Sequence, residues 1–254
     1  MALRTYLLAA VVAISGVAGP SSAYELPDDE KAASFIWSNV IATFYHELGH
    51  ALIDVLELPV LGREEDAADS LSALLIHQIW EEDSAAQMID ETANAFFLNS
   101  QEADANGHET AYWDEHSLDL QRYYNLVCLF YGADPDGRAF IVTDYELPED
   151  RAERCPDEFA QTEAAWSAML DQAAWREGAA GLVMQGDGSG PLADLLAQEV
   201  VDFNATYSLP TSVLVELAAC GEANAFYNPA NQTVTICSEY AEELERLYMA
   251  SLEE

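Results

Sequence analysis

The chain has 254 residues, half of them hydrophobic, with nine Lys plus Arg against 46 Asp plus Glu. A formal charge of −37 excludes nucleic acid and anionic membrane surfaces as partners, since both would repel it. The length allows one large domain or two small ones, each able to bury a core.

Residues 1–23 read as a secretory signal peptide. Arg4 precedes the apolar run Tyr6 to Val17, and Gly19-Pro20-Ser21-Ser22-Ala23 supplies a small-residue cleavage site after Ala23. The run is too short for a membrane anchor, and no later stretch reads as a span. Cleavage removes one basic residue and no acid, leaving 8 − 46 = −38. The acids are spread along the whole length, which reads as a solvated acidic surface suited to a salty milieu. The mature chain is therefore a secreted or periplasmic protein, read as a single domain over 24–254.

Residues 24–32 are polar. Over 33–56, Phe35, Ile36, Val40, Ile41, Phe44, Leu48, Leu52 and Val55 recur at helical spacing, and Glu57-Leu58-Pro59 ends the helix. A second helix opens at the acid-rich segment 63–69 and runs to about Trp80; acids in a first turn suit the helix dipole. A third covers about 84–99. Residues 100–114 read as irregular, a fourth helix runs from about His116 to Tyr131, and 134–150 is turn-rich. A further helix spans about 156–177.

After Gly178 the character changes to a strand-rich part, 179–254. Strand-like runs lie at 181–185, 212–219, 224–227 and 232–237. A turn covers 186–191, an amphipathic helix 192–203, and a charged helix 239–252. The fold class is α+β: a helical body over 24–178, with a small antiparallel sheet contributed largely by the C-terminal third. Cys128, Cys155, Cys220 and Cys237 are an even set in an exported chain and read as two disulfides. Nearest-neighbour pairing, Cys128–Cys155 and Cys220–Cys237, brackets one local unit each.

The chemistry gathers at His46-Glu47-Leu48-Gly49-His50 in the first helix. Residues four apart are offset by about 40° on an α-helix, so both imidazoles reach one ion from one face. Glu47 flanks that face, beside the place a water takes on a catalytic zinc. A third protein ligand is still needed. Gly at 53 and His at 56 would supply one in another zinc-protease pattern, but the chain has Ile53 and Leu56. Glu65, fifteen residues after His50, is the preferred carboxylate. Glu64 and Asp66 point about 100° to either side and compete. Asp69, one turn beyond Glu65, is placed to accept a hydrogen bond from a ligating imidazole and fix its tautomer. His77 lies in an apolar helix and reads as a packing residue.

The pair His46-Glu47-Leu48-Gly49-His50 and Glu65-x-x-Ala68-Asp69 resembles the gluzincin metallopeptidases, the thermolysin-like clan with a glutamate as third zinc ligand. More narrowly, HELGHALID, LPVLGREEDAAD, DEHSLDLQRYYNLVC and CGEANAFYNP resemble an uncharacterised family of proposed metallopeptidases, over most of the mature chain. The resemblance implies a zincin-like fold, one Zn²⁺, and a peptide or protein substrate. It implies that Asn224, Ala225 and Phe226, with Tyr227, form a substrate-binding strand. In the clan that strand precedes the H-E-x-x-H helix, and here it follows by about 170 residues; a core strand braced by Cys220–Cys237 is the competing reading. The clan also uses a His or Tyr to stabilise the oxyanion. His116 is the candidate, with Asp114 or Asp119 beside it, while Tyr123, Tyr124, Tyr227 and Tyr240 are competing donors. The reading that results is a zinc-dependent peptide-bond hydrolase with Glu47 as general base. The alternative is a zinc-binding structural or partner-binding envelope protein without turnover.

Overall fold

The computed structural model describes residues 24–186 and 189–253. The expected signal peptide, residues 1–23, lies outside them, as do Asp187 and Gly188 of the expected 186–191 turn. Among the described residues no helix is long and apolar enough to cross a membrane.

Helix α1 (Glu30–Val55) is the axis of the molecule. It begins at Glu30, three residues before the apolar pattern starts, because the Asp29 carboxylate accepts hydrogen bonds from the backbone of Lys31 and Ala32. Its buried set includes Ser38, Asn39, His46 and Glu47 as well as the apolar stripe. A helix buried almost all round must have neighbours on several sides. These are α2 (Glu64–Ile79), α3 (Glu82–Ala105) and α9 (Ser238–Ser251), with the strands β3 (Ala225–Asn228) and β4 (Thr233–Cys237). Helix α4 (Asp119–Ala133) packs on α2, α3 and α7 (Cys155–Leu170). Two short helices, α5 (Phe140–Asp144) and α6 (Glu149–Ala152), fill the turn-rich stretch.

One contact sets the spacing of α1 and α2. A Cβ on Gly49 would lie 3.0 Å from the Ala68 Cα and 3.2 Å from its Cβ. No larger residue at 49 permits this approach without moving a backbone.

Helix boundaries depart from the sequence pattern at three places. Helix α3 runs on to Ala105, through a last turn whose residues are mostly exposed and carry no apolar period. Helix α4 starts at Asp119, not His116. The Asp114 carboxylate accepts from the His116 backbone N–H, and the Gln121 side chain accepts from the Leu118 N–H, so the chain turns into the helix only after Leu118. Helix α7 stops at Leu170, followed by a short 3₁₀ turn at Asp171–Ala173.

The four strands β1 (Leu182–Met184), β2 (Val213–Ala218), β3 (Ala225–Asn228) and β4 (Thr233–Cys237) form one sheet in the order β1-β2-β4-β3. The sheet is mixed and not the antiparallel one the sequence suggests. Helix α8 (Pro191–Thr206) carries the chain back before β2, so β1 and β2 pair in parallel, Leu182 opposite Val213. Strands β2 and β4 are also parallel, Val215 opposite Val234. Only the β3–β4 hairpin is antiparallel, with Tyr227 opposite Val234. Strand β3 is therefore an edge. Its fully buried neighbour β4 holds it in place.

Disulfides join Cys128 to Cys155 and Cys220 to Cys237. The first ties α4 to the start of α7, and the second ties the loop before β3 to the end of β4. Replacing Cys220 and Cys237 together by Ala should lower stability by about 3 kcal/mol, from the released loop entropy of a 17-residue separation. Urea denaturation reads this directly, and an unchanged midpoint would contradict it.

Candidate metal centre

Helix α1 presents His46 and His50 to the first turn of α2, where Glu65 meets both. His46 Nε2 lies 3.1 Å from Glu65 Oε2, His50 Nε2 lies 3.2 Å from the same oxygen, and the two Nε2 atoms are 3.2 Å apart. The competing acids turn elsewhere. Glu64 Oε1 lies 2.8 Å from His50 Nδ1, and Asp66 accepts the Ser117 hydroxyl at 2.6 Å. Both acids flanking position 65 are engaged elsewhere, and Glu65 is the one that faces the histidine pair.

This triangle suits a metal ion on two counts. A tetrahedral ion with bonds of about 2.05 Å requires donor atoms about 3.3 Å apart, close to the observed 3.1–3.2 Å. The proton inventory points the same way. His46 Nδ1 donates to Asp69 Oδ1 at 2.7 Å, and His50 Nδ1 donates to Glu64. With Nδ1 protonated, each Nε2 presents a lone pair, and these two face each other and a carboxylate oxygen. Three acceptors in mutual contact require a positive charge among them.

The ionisable groups register that demand. Burial pulls the His46 pKa down, but hydrogen bonds to Asp69 and Glu65 outweigh it and raise it to about 9. Burial likewise opposes charge on His50, and Glu65 and Glu64 win, so its pKa also rises. Burial pushes the Glu65 carboxyl up, yet contacts with His116, His46 and His50 hold it well below the usual carboxylate range. A divalent ion in the triangle satisfies the same electrostatics.

Behind His46 the support continues. Arg122 of α4 grips Asp69 with two hydrogen bonds, Nε to Oδ2 at 2.8 Å and Nη2 to Oδ1 at 2.7 Å. Its guanidinium lies over the Phe96 ring, 4.3 Å from the centroid. The chain Phe96–Arg122–Asp69–His46 fixes one imidazole through three elements. Arg122 and the pairing of Glu64 with His50 escape sequence reasoning. The available signal was an arginine in a helix of a chain with so few cations.

Glu47, 7% exposed, sits beside the triangle. Burial raises its pKa, against the pull of His46, of His50 and of a hydrogen bond from the Tyr227 backbone. Strand β3 packs against α1. Asn224, Ala225, Phe226 and Tyr227 border an open cleft with Glu47, His50 and Glu65. Residues about 175 positions apart in sequence are thus brought together.

His116 lies in the loop before α4, with Nε2 3.0 Å from Glu65 Oε2 and Nδ1 3.3 Å from Asp114. Arg63 holds that loop by donating to the His116 carbonyl, and Ser117 binds Asp66. Asp119 makes no contact with the imidazole of hydrogen-bond length. Of the competing tyrosines, Tyr227 lines the cleft and donates to Asp54 at 2.6 Å. The Tyr240 hydroxyl lies 2.9 Å from that of Thr43, and Tyr123 donates to the Tyr145 carbonyl and packs against the Tyr124 ring. His77 accepts from Arg138 and meets the Phe159 ring edge to face. A second grouping, Cys220, Cys237 and Glu239, offers no metal seat because its sulfurs are bonded to each other.

The sequence matches the model of the family described as "Putative metallopeptidase" over residues 13–170 and 191–254. The chain belongs to that family. No curated protein and no solved structure matches it. For a metallopeptidase family member, a metal cofactor and a peptide substrate are what the centre has to accommodate. His46, His50 and Glu65 are the donors of suitable spacing, and the cleft along β3 is the open space beside them.

Asp69→Asn should weaken metal binding by roughly 10- to 100-fold, the usual cost of losing a group that orients a ligating histidine. Competition with a chromogenic chelator measures it. An affinity unchanged within error would remove Asp69 from the centre.

Proposed function

We propose that the protein is an exported zinc-dependent peptidase of gluzincin type, with residues 24–254 acting as one catalytic domain. The observation that carries this reading is the triangle of three acceptor atoms 3.1–3.2 Å apart with a buried carboxylate, Glu47, at its side. Two nitrogens and one oxygen at that spacing favour Zn²⁺ held by His46, His50 and Glu65. The two disulfides fit an oxidising compartment, in line with the signal peptide read from residues 1–23.

When bound there, zinc acidifies water and polarises a carbonyl. The protein's residues do the rest. The peptide lies along the free edge of β3 as an added strand, its backbone paired with that of Asn224, Ala225 and Phe226. This holds the scissile carbonyl between Glu47 and His116. Glu47, whose pKa burial raises, takes a proton from the attacking water and delivers it to the departing amine. His116 Nε2–H donates to the carbonyl oxygen as that atom gains negative charge, with Asp114 supporting the protonated ring. Asp69 and Arg122 keep His46 oriented throughout.

A second reading has its own observation. The ligating atoms of His46, Glu65 and His116 all lie within 4.8 Å of one another, so His116 could complete a closed, non-catalytic site. The open cleft and the inner cavity that meet at Glu47 favour the peptidase.

Glu47→Gln should keep one zinc per chain and lower peptide hydrolysis at least a hundredfold. Metal analysis and a fluorogenic peptide assay test both halves, and cleavage at the parent rate with zinc retained would refute the mechanism. His116→Ala separates the two readings. The peptidase predicts a kcat lower by roughly 10²–10³ with zinc affinity intact, and the closed site predicts weakened zinc binding.

A further inference from the structure

Two hollows meet at Glu47. One is the open cleft along β3. The other is an inner cavity of about 510 Å³, running from His46, Glu47, Asn224 and Ala225 into the space between α1, α3, α4 and α9. Its volume is that of a ligand pocket.

The wall of this cavity is built for a long side chain with a polar end. Phe96, Leu126 and Leu129 give it apolar surface that suits a methylene stem. One charged group on it lacks a partner. The Asp119 carboxylate lines the same space, half-buried, and makes no ion pair or hydrogen bond among the described residues. Burial pushes its pKa up, against the pull of Arg122 and His116.

The cations on the wall are already committed. Arg122 spends two donors on Asp69, and Arg151 pairs with Glu158 at 2.7 Å. The outer cleft adds Asp54, Glu57, Glu64 and Glu115, and no Lys or Arg lines it. Those acids alone would mean little in so acidic a chain. They matter here because they lead to a cavity that joins an apolar wall to an unpaired carboxylate.

We infer that the substrates are cationic peptides, and that the inner cavity takes a lysine or arginine side chain flanking the scissile bond, with Asp119 as its counter-charge. This rests on the peptidase reading for the cleavage but not for the binding. The acidic rim draws a basic peptide to the cleft. The apolar wall packs the stem of the side chain, and the charged end reaches Asp119.

The test uses peptides identical except for Arg, Leu or Glu at the residue on either side of the scissile bond. For one of the two positions, kcat/KM should favour Arg over Leu by about tenfold or more, and over Glu by more still. Asp119→Asn should cut the Arg peptide by about tenfold and leave the Leu peptide within about twofold. In parallel, fluorescence anisotropy of the same peptides on zinc-loaded Glu47→Gln, with and without Asp119→Asn, measures the preference without turnover. Equal use of Arg and Leu, or a preference that survives Asp119→Asn, overturns the inference. Binding preference for Arg with no hydrolysis of any peptide by the parent would overturn the peptidase reading and leave the pocket assignment standing.

Discussion

Helix α2 occupies the space that a side chain at position 49 would need. The 3.0 Å separation between the Ala68 Cα and a notional Gly49 Cβ is the constraint from which the centre follows. On α1 it sits between His46 and His50, three residues after one and one residue before the other. On α2 it sits between Glu65 and Asp69, three after one and one before the other. Both pairs of functional residues therefore hang on a single contact point. Widening it would draw Glu65 away from both imidazoles and Asp69 away from His46. The buried Leu71, whose Cδ2 would lie 3.6 Å from the same notional Cβ, packs beside this contact and contributes roughly 1.5–3 kcal/mol of apolar burial.

Charge is distributed with similar economy. The chain is overwhelmingly acidic, and two of its few arginines serve as internal connectors. Arg122 links α4 to Asp69 and so to His46. Arg138, 1% exposed, binds Glu82 of α3, the Phe130 carbonyl of α4 and His77 of α2, and lies over the Phe130 ring at 3.5 Å. An acid-rich chain strongly repels itself, and these two guanidiniums each offset one carboxylate, Asp69 and Glu82.

Much of the helical body is legible in the sequence, since α1, α2, α4 and α9 each carry an apolar stripe of period 3.6. The pairing of His46 with His50 and the preference for Glu65 over its neighbours follow from the same helical geometry. What periodicity cannot supply is the partner across the gap. It gives no account of Glu64 meeting His50, of Arg122 meeting Asp69, or of the cavity under Asp119. The path of the His116 loop is set by Arg63, Ser117 and Asp114, short polar contacts that leave no pattern. The parallel pairing of β1, β2 and β4 was equally hidden, because the strands are short and the connection through α8 decides their direction.

The edge strand β3 has one further consequence, for the order in which the molecule comes into being. The helices that carry His46, His50 and Glu65 are complete in sequence by Ile79. Strand β3 leans on β4 alone within the sheet, and the Cys220–Cys237 bridge cannot close before Cys237 exists. A chain emerging from the ribosome therefore possesses all three proposed donors long before it has an edge along which another polypeptide could lie. The β3–β4 hairpin, made more than a hundred residues later, is what gives the centre something to face.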